Sequence, residues 1–346
     1  MSTRAQPRRS TASALARHAS DPGALLLLVL LPLFVQSGFV LRVLSLSWLD
    51  AILAMGVVVS YGYAGIPNMS QGTLYGFGAY AAANLMTHMG LSFVPSAIIG
   101  AVVAAAVGGL LGATALRVRG NYWWLVTIAF TQVMFIVFNS WTPVTGGEGG
   151  FIGIPLAKIG GLTLQSFTSF YYLGLVALAI VYVVYRRVTR SRVGSAMIAV
   201  RSDETAARGL GISPGAIKIA SMVLAGFGAG IAGACLDSVT GYIDAQTFSL
   251  TFSFNMMLFA IVGGIGSLRG AIIAAVALTY VTTEVTSLVN YQFFIFGGTV
   301  LIALFVRLYL GGKSPLTELR RRLRLVYGAE RAPMDEPLEE VAVKRA

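Results

Sequence analysis

Charge is what this chain has least of. Only 11% of its 346 residues are charged, against about a quarter in soluble domains. Hydrophobic residues make up 56%, and the mean hydropathy is +0.77. A soluble globular domain is excluded, and a polytopic membrane protein remains. Cysteine is nearly absent too. Cys235 stands alone, so no internal disulfide is possible. The two histidines, His18 and His88, are far apart and leave no metal site. The acids Glu148, Asp237, Asp244 and Glu284 are scattered, with no His or Cys beside them. No nucleophile or acid–base constellation can be assembled from them. The chain therefore reads as a non-enzyme with neither cofactor nor metal.

Nucleotide motifs are missing as well. A phosphate loop needs Gly, four residues, then Gly-Lys-Ser/Thr between a strand and a helix. Gly312-Lys313-Ser314 supplies only its end, because Arg307 stands where the first Gly belongs and Pro315 follows at once. The run from Gly263 to Gly270 (GGIGSLRG) has dinucleotide-like spacing, but it joins two apolar runs. Glycines there serve a sharp turn or close helix approach. The chain cannot hydrolyse ATP by itself.

What is present is apolar sequence in spanning lengths, about 20 residues each. Ten runs are predicted: 24–41, 47–65, 71–89, 94–116, 122–141, 166–185, 215–236, 250–266, 270–289 and 293–310. The expected fold class is an all-α transmembrane bundle. With the N-terminus in the cytoplasm, Arg4, Arg8, Arg9, Arg17, Arg117, Arg119, the 186–208 loop, Lys218, Arg269 and the tail after Lys313 all fall inside. Arg42 and Lys158 fall outside. The net charge of +11 is then a positive-inside signature, not a nucleic-acid footprint. Both termini are expected in the cytoplasm. Residues 1–23 form a basic tail, 24–312 the membrane domain and 313–346 a charged tail. The first run is too long for a signal peptide and lacks a small-residue cleavage site after it.

Four segments depart from plain lipid-facing helix. Between 62 and 80, glycines and Pro67 crowd a region at membrane depth, with Asn68, Ser70 and Gln71 supplying hydrogen-bonding groups. Irregular backbone at that depth is buried in protein or lines a cavity. Between 117 and 155, Thr127 and Thr131 are four apart and share a helix face, whereas Gln132 cannot join them. Thr145-Gly-Gly-Glu-Gly-Gly150 follows as a flexible outer turn.

The third segment, 186–214, is a long charged stretch between two spans, a surface suited to a soluble partner. Ser195 is expected to cap a short helix running to about Arg208, ended by Gly209 and Gly211. Met197, Val200, Glu204 and Ala207 lie near one face, with Arg201, Asp203 and Arg208 elsewhere. Ser213-Pro214 then starts the next span. In the fourth segment, 241–275, Asn255 sits inside an apolar run and Glu284 inside the next. An ionisable group within a span is a functional-site hypothesis.

Taken together, these segments resemble the inner-membrane permeases of branched-chain amino acid ABC transporters, the LivM type. The resemblance rests on Gly-Tyr-Ala-Gly at 62–65 and Gly-Phe-Gly-Ala-Tyr at 76–80. It rests also on Arg117, Arg119, Gly120, Tyr122 and 126–130, on Thr-Gly-Gly at 145–147, and on Gly-Ile-Pro at 153–155. Ala199, Arg201, Glu204, 206–208 and 210–212 match the family's coupling segment, and 248–250 with 263–270 match a further element. Departures fall at 66–71, Ala245, Asn255 and Ala271.

The resemblance implies one permease chain of a multi-part importer in a bacterial inner membrane. Two cytoplasmic ABC ATPases, a second related permease and an extracytoplasmic solute-binding protein complete it. It implies that Arg201, Asp203, Glu204, Ala207, Arg208, Gly209 and Gly211 couple to the ATPases. Asn68, Ser70, Gln71, Thr127, Thr131 and Asn255 are the expected substrate pathway. The substrate reads as a branched-chain amino acid, with urea or a short amide as the alternative at the departures. A proton-coupled secondary transporter is the rival class. It requires paired intramembrane carboxylates or a sodium cage, and the spans read as lacking both.

Overall fold

A helix forms from Gly38 because nothing breaks it before the next glycine, Gly56. Its serines do not interrupt it, since Ser45 and Ser47 donate back to the carbonyls of Leu41 and Val43 at 2.7 and 2.8 Å. In the computed structural model this helix, α1 (Gly38–Val57), continues without a gap into a π-helical turn, Val58–Tyr63. That corrects the expected boundary between runs 24–41 and 47–65. Residues 42–46 are not an outer loop, and Arg42 lies in the second turn of α1. The structure describes residues 29–32, 37–115, 118, 122–159, 162–284 and 297–298. The terminal tails, the run at 293–310 apart from 297–298, the Lys313 motif, Arg117, Arg119 and Gly120 lie outside them.

The following helices are α2 (Gln71–His88), α3 (Phe93–Thr114), α4 (Trp123–Ser140) and α5 (Phe167–Thr189). Two short helices, α6 (Arg192–Ser202) and α7 (Glu204–Gly209), precede α8 (Pro214–Thr240), α9 (Leu250–Gly263) and α10 (Leu268–Glu284). Among the described residues, five helices are long and apolar enough to cross a membrane: Gly38–Tyr63, Phe93–Thr114, Trp123–Ser140, Phe167–Thr189 and Pro214–Thr240. The α9 and α10 helices are apolar but shorter. The expected capping of α8 holds, with Ser213 Oγ accepting from Ala216 N and Pro214 in the first turn.

α8 is the hub. It packs against α3, α2, α1 and α5, while α10 lies on α1 and α9. The approach is close because α8 presents glycine. A Cβ on Gly230 would lie 2.5 Å from Ala101 Cα and 2.7 Å from Gly100 O, and one on Gly233 would lie 2.5 Å from Ala79 N. Helix association in lipid depends on such small-residue faces, because apolar burial alone does not distinguish lipid from protein.

Short strands interrupt the expected all-helical picture. β1 (Phe151–Ile152) pairs antiparallel with β4 (Tyr242–Ile243), and β2 (Lys158–Ile159) with β3 (Leu162–Thr163). The first pair ties the segment after α4 to the segment after α8. The glycine-rich turn before it is built rather than loose. Thr145 Oγ1 donates to the carbonyls of Phe138 and Trp141, at 2.6 and 2.8 Å. Gly146, Gly147 and Gly150 take positive φ.

Candidate functional site

Between the π turn and α2 the chain leaves helical geometry over 64–70. Gly65 has φ +76°, and Ile66 N donates to Ser60 O at 2.9 Å, which folds the chain back on itself. α2 then begins beside Gly56 and Ala225, well inside the bundle: Gln71 Nε2 donates to Ala225 O at 3.3 Å. Irregular backbone at this depth needs protein partners for its polar groups.

The partners are present. Asn68 Oδ1 accepts from Ser70 N and Ser70 Oγ at 2.8 and 2.6 Å, and Asn68 Nδ2 donates to Gln71 Oε1 at 3.0 Å. From α4, Thr127 Oγ1 accepts from Met69 N at 3.2 Å and Thr131 Oγ1 donates to Met69 O at 3.0 Å. From α9, Ser253 Oγ accepts from Gly72 N at 2.9 Å. Thus Asn68, Ser70, Gln71, Thr127 and Thr131 come together, all fully buried. Gln132 is on the exposed side of α4, as its spacing predicts. Asn255 is half-buried and takes no part in these bonds. Its helix contributes Ser253 instead, two residues away and so on another face. A polar residue two before an Asn in an apolar run was the available signal, but the sequence cannot say which of the two faces inward.

The charged segment at 186–214 folds as two short helices. Ser191, not Ser195, caps the first, its Oγ accepting from Val193 N at 3.2 Å. Asp203 ends that helix and caps the second, its Oδ1 accepting from Thr205 N and Ala206 N at 2.7 and 3.0 Å. Met197, Val200 and Ala207 are all buried, so the two short helices keep the expected face inward although the cap lies at Ser191 and Asp203 divides them. Glu204 is not a free surface acid: Lys218 Nζ lies 2.5 Å from its Oε1. Gly211 has φ +77° and reverses the chain, with Ile212 N donating to Ala207 O at 3.0 Å. The tip is open, with the Arg208 side chain 68% and Leu210 78% exposed.

The two regions touch. The Arg201 guanidinium donates to the carbonyl of Gly62 at the end of the π turn. Its stem lies against Gly65, where a Cβ would come within 2.9 Å of Arg201 Cγ. A cavity of about 220 Å³ remains beside this contact, lined by Gly65, Pro67, Trp123, Arg201, Glu204 and Lys218 among others. On the other side of Gly62 lies Gly266, in the glycine turn between α9 and α10. Gly263 and Gly270 meet backbone to backbone there, as their sequence context predicts.

The sequence of the chain matches a known family. The family model described as branched-chain amino acid transport system / permease component covers residues 39–304. The chain belongs to that family. It is 31% identical over 328 residues to the high-affinity branched-chain amino acid transport system permease protein LivM of Escherichia coli (strain K12), covering 88% of this chain and 76% of that protein. LivM of Salmonella typhimurium is 30% identical over 323 residues, covering 87% and 75%. The probable permease LivH of Methanocaldococcus jannaschii is 23% identical over 278 residues, covering 75% and 85%. No solved structure matches. The family is one of transport permeases, not of enzymes.

Towards the other end of α2, the permease stacks aromatic rings. Tyr75, Tyr80, Phe138 and Phe248 are buried together. Ring centroids lie 5.4 Å apart for both Tyr75–Phe248 and Tyr80–Phe248, and 5.0 Å apart for Tyr80–Phe138. Two acids lie inside helices. Asp50 in α1 accepts from Thr279 Oγ1 of α10 at 2.8 Å, and Asp237 in α8 is fully buried. The Tyr75 hydroxyl is an electrostatic neighbour of both. Asp50 is legible in the sequence as an acid within an apolar run, and Asp237 as one of the scattered acids. The Glu284 side chain lies outside what the structure describes.

Proposed function

We propose that this permease lines the substrate path of an ATP-driven importer for branched-chain amino acids in a bacterial inner membrane, working by alternating access. Its partners in this reading are a second permease chain, two cytoplasmic ABC ATPases and an extracytoplasmic solute-binding protein. Both termini face the cytoplasm, and the full chain has about ten spans. The substrate follows the names of the LivM and LivH relatives. Urea and short amides have no comparable support.

The observation that carries the mechanism is the Arg201–Gly62 contact. ATPase closure displaces α6 and α7 as one body, since their buried Met197, Val200 and Ala207 hold them together against the bundle. Arg201 passes that displacement to Gly62, and through the 64–70 segment to Asn68, Ser70 and Gln71. The polar cluster at the start of α2 is then remade around the solute. A shift of packed elements of this kind is an ordinary switching mode.

Lys218 holds Glu204, so docking is tested at the exposed tip. In the assembled importer, Arg208→Ala with Leu210→Ala should lower ATPase retention on the purified permease at least tenfold and abolish uptake, with membrane insertion unchanged. Full ATPase retention together with normal uptake would refute the docking assignment.

A further inference from the structure

Asp237 lies one turn beyond Gly233 and so shares its face, the face of α8 that meets α2 at Tyr75 and Ala79. It is completely buried, and neither carboxyl oxygen has a hydrogen-bond partner among the described residues. Asp50 and Asp244, by contrast, are engaged. Asp50 accepts from Thr279, and Asp244 accepts from Thr247 N while capping a 3-10 turn. The hydroxyl of Tyr80, an electrostatic neighbour of Asp237, is likewise buried without a partner. Tyr75 and Tyr80 each pack on the ring of Phe248, and Phe138 packs on Tyr80 and Phe248.

A buried carboxyl with nothing to bond is costly, and a native chain retains one where something else satisfies it. The complement is specific. An unfilled acid calls for a group with several donors and positive charge. Aromatic faces beside it add attraction for a cation and room for an apolar body. An ammonium on a small apolar frame meets all three conditions, and an anion or a neutral amide meets fewer.

We propose that Asp237 and Tyr80, with the rings of Tyr75, Phe138 and Phe248, receive the α-ammonium group of the transported amino acid. The inference rests on the amino-acid reading above and names the site that would enforce it. Asp237 supplies the charge, the Tyr80 hydroxyl an acceptor lone pair, and the rings a shell around the solute side chain. The rings meet one another in this arrangement, so the solute is received when they part.

The test uses the complete importer in proteoliposomes, with its second permease, ATPases and binding protein, and [14C]leucine as probe. Asp237→Asn keeps the shape and removes the charge. At equal amounts of assembled complex it should lower leucine uptake at least tenfold, and Asp237→Glu should regain part of it. Tyr80→Phe, which keeps the ring, should raise KM for uptake several-fold with kcat little changed, a split that a purely structural hydroxyl does not produce. Uptake by Asp237→Asn within twofold of wild type would overturn the inference. So would equal failure of the Asn and Glu variants to assemble together with an unchanged KM in Tyr80→Phe. A wild-type importer that hydrolyses ATP yet accumulates no leucine, isoleucine or valine would overturn the amino-acid reading itself, and this inference with it.

Discussion

The peptide unit of Met69 is held from both sides by α4, through Thr127 on its N–H and Thr131 on its carbonyl. Replacing both threonines by valine keeps the side-chain shape and removes only the hydroxyls. The Met69 N–H is then stranded in a buried site, which costs about 1–3 kcal/mol. The lost bond to the carbonyl adds less, because interhelical bonds in membranes average about 0.6 kcal/mol. The two effects act on one peptide and do not simply sum. A loss of about 1–3 kcal/mol corresponds to a roughly 5- to 150-fold larger population of the opened 64–70 segment. Hydrogen exchange read by mass spectrometry on peptides spanning 64–72 measures that population directly. The double variant should exchange faster there by a factor in that range, while peptides from the α3–α8 contact stay at wild-type rates. Unchanged exchange at 64–72 would refute the view that α4 holds the broken segment in place.

Two further outcomes test the fold and the orientation. Gly230→Val drives a side chain into Ala101 Cα and Gly100 O, backbone that cannot rotate away. Overpacking of that kind costs about 1–3 kcal/mol or more, so the variant should melt clearly lower in detergent, whereas Gly209→Ala, which meets nothing within 4 Å, should not; equal melting temperatures would contradict the α3–α8 packing. In a Cys235→Ser background, an impermeant thiol reagent applied to intact cells should label Gly149→Cys and spare Thr205→Cys, and the opposite pattern would reverse the topology.

The sequence reading reached some elements and missed others for identifiable reasons. Thr127 and Thr131 were legible as one face because a four-residue spacing in a helix admits no other geometry. Ser213-Pro214 was legible because cap and first-turn proline are local signals. The continuity of α1 was not, since Arg42 within an apolar stretch looks the same at a loop as in the second turn of a helix. Ser191, Ser195 and Asp203 carry equivalent capping chemistry, so spacing alone does not say which of them caps; Ser191 and Asp203 do. Ser253 rather than Asn255 meets Gly72 because α9 is turned that way against α2. Asp50 and Asp237 were visible as acids in apolar runs, but their shared neighbour Tyr75 was not.

By itself the sequence determined the class of this permease, the extent of most of its described helices and the position of its long charged segment. Those properties follow from transfer free energy, charge and capping, which act residue by residue and need no distant partner. Only the tertiary structure decided which polar groups meet. Gln71 reaches Ala225, Thr131 reaches Met69 and Arg201 reaches Gly62 across 154, 62 and 139 residues of chain. Contacts at such separations depend on how closely and at what rotation the helices approach. That is set by the glycine face of α8, where the missing side chains let three backbones come together.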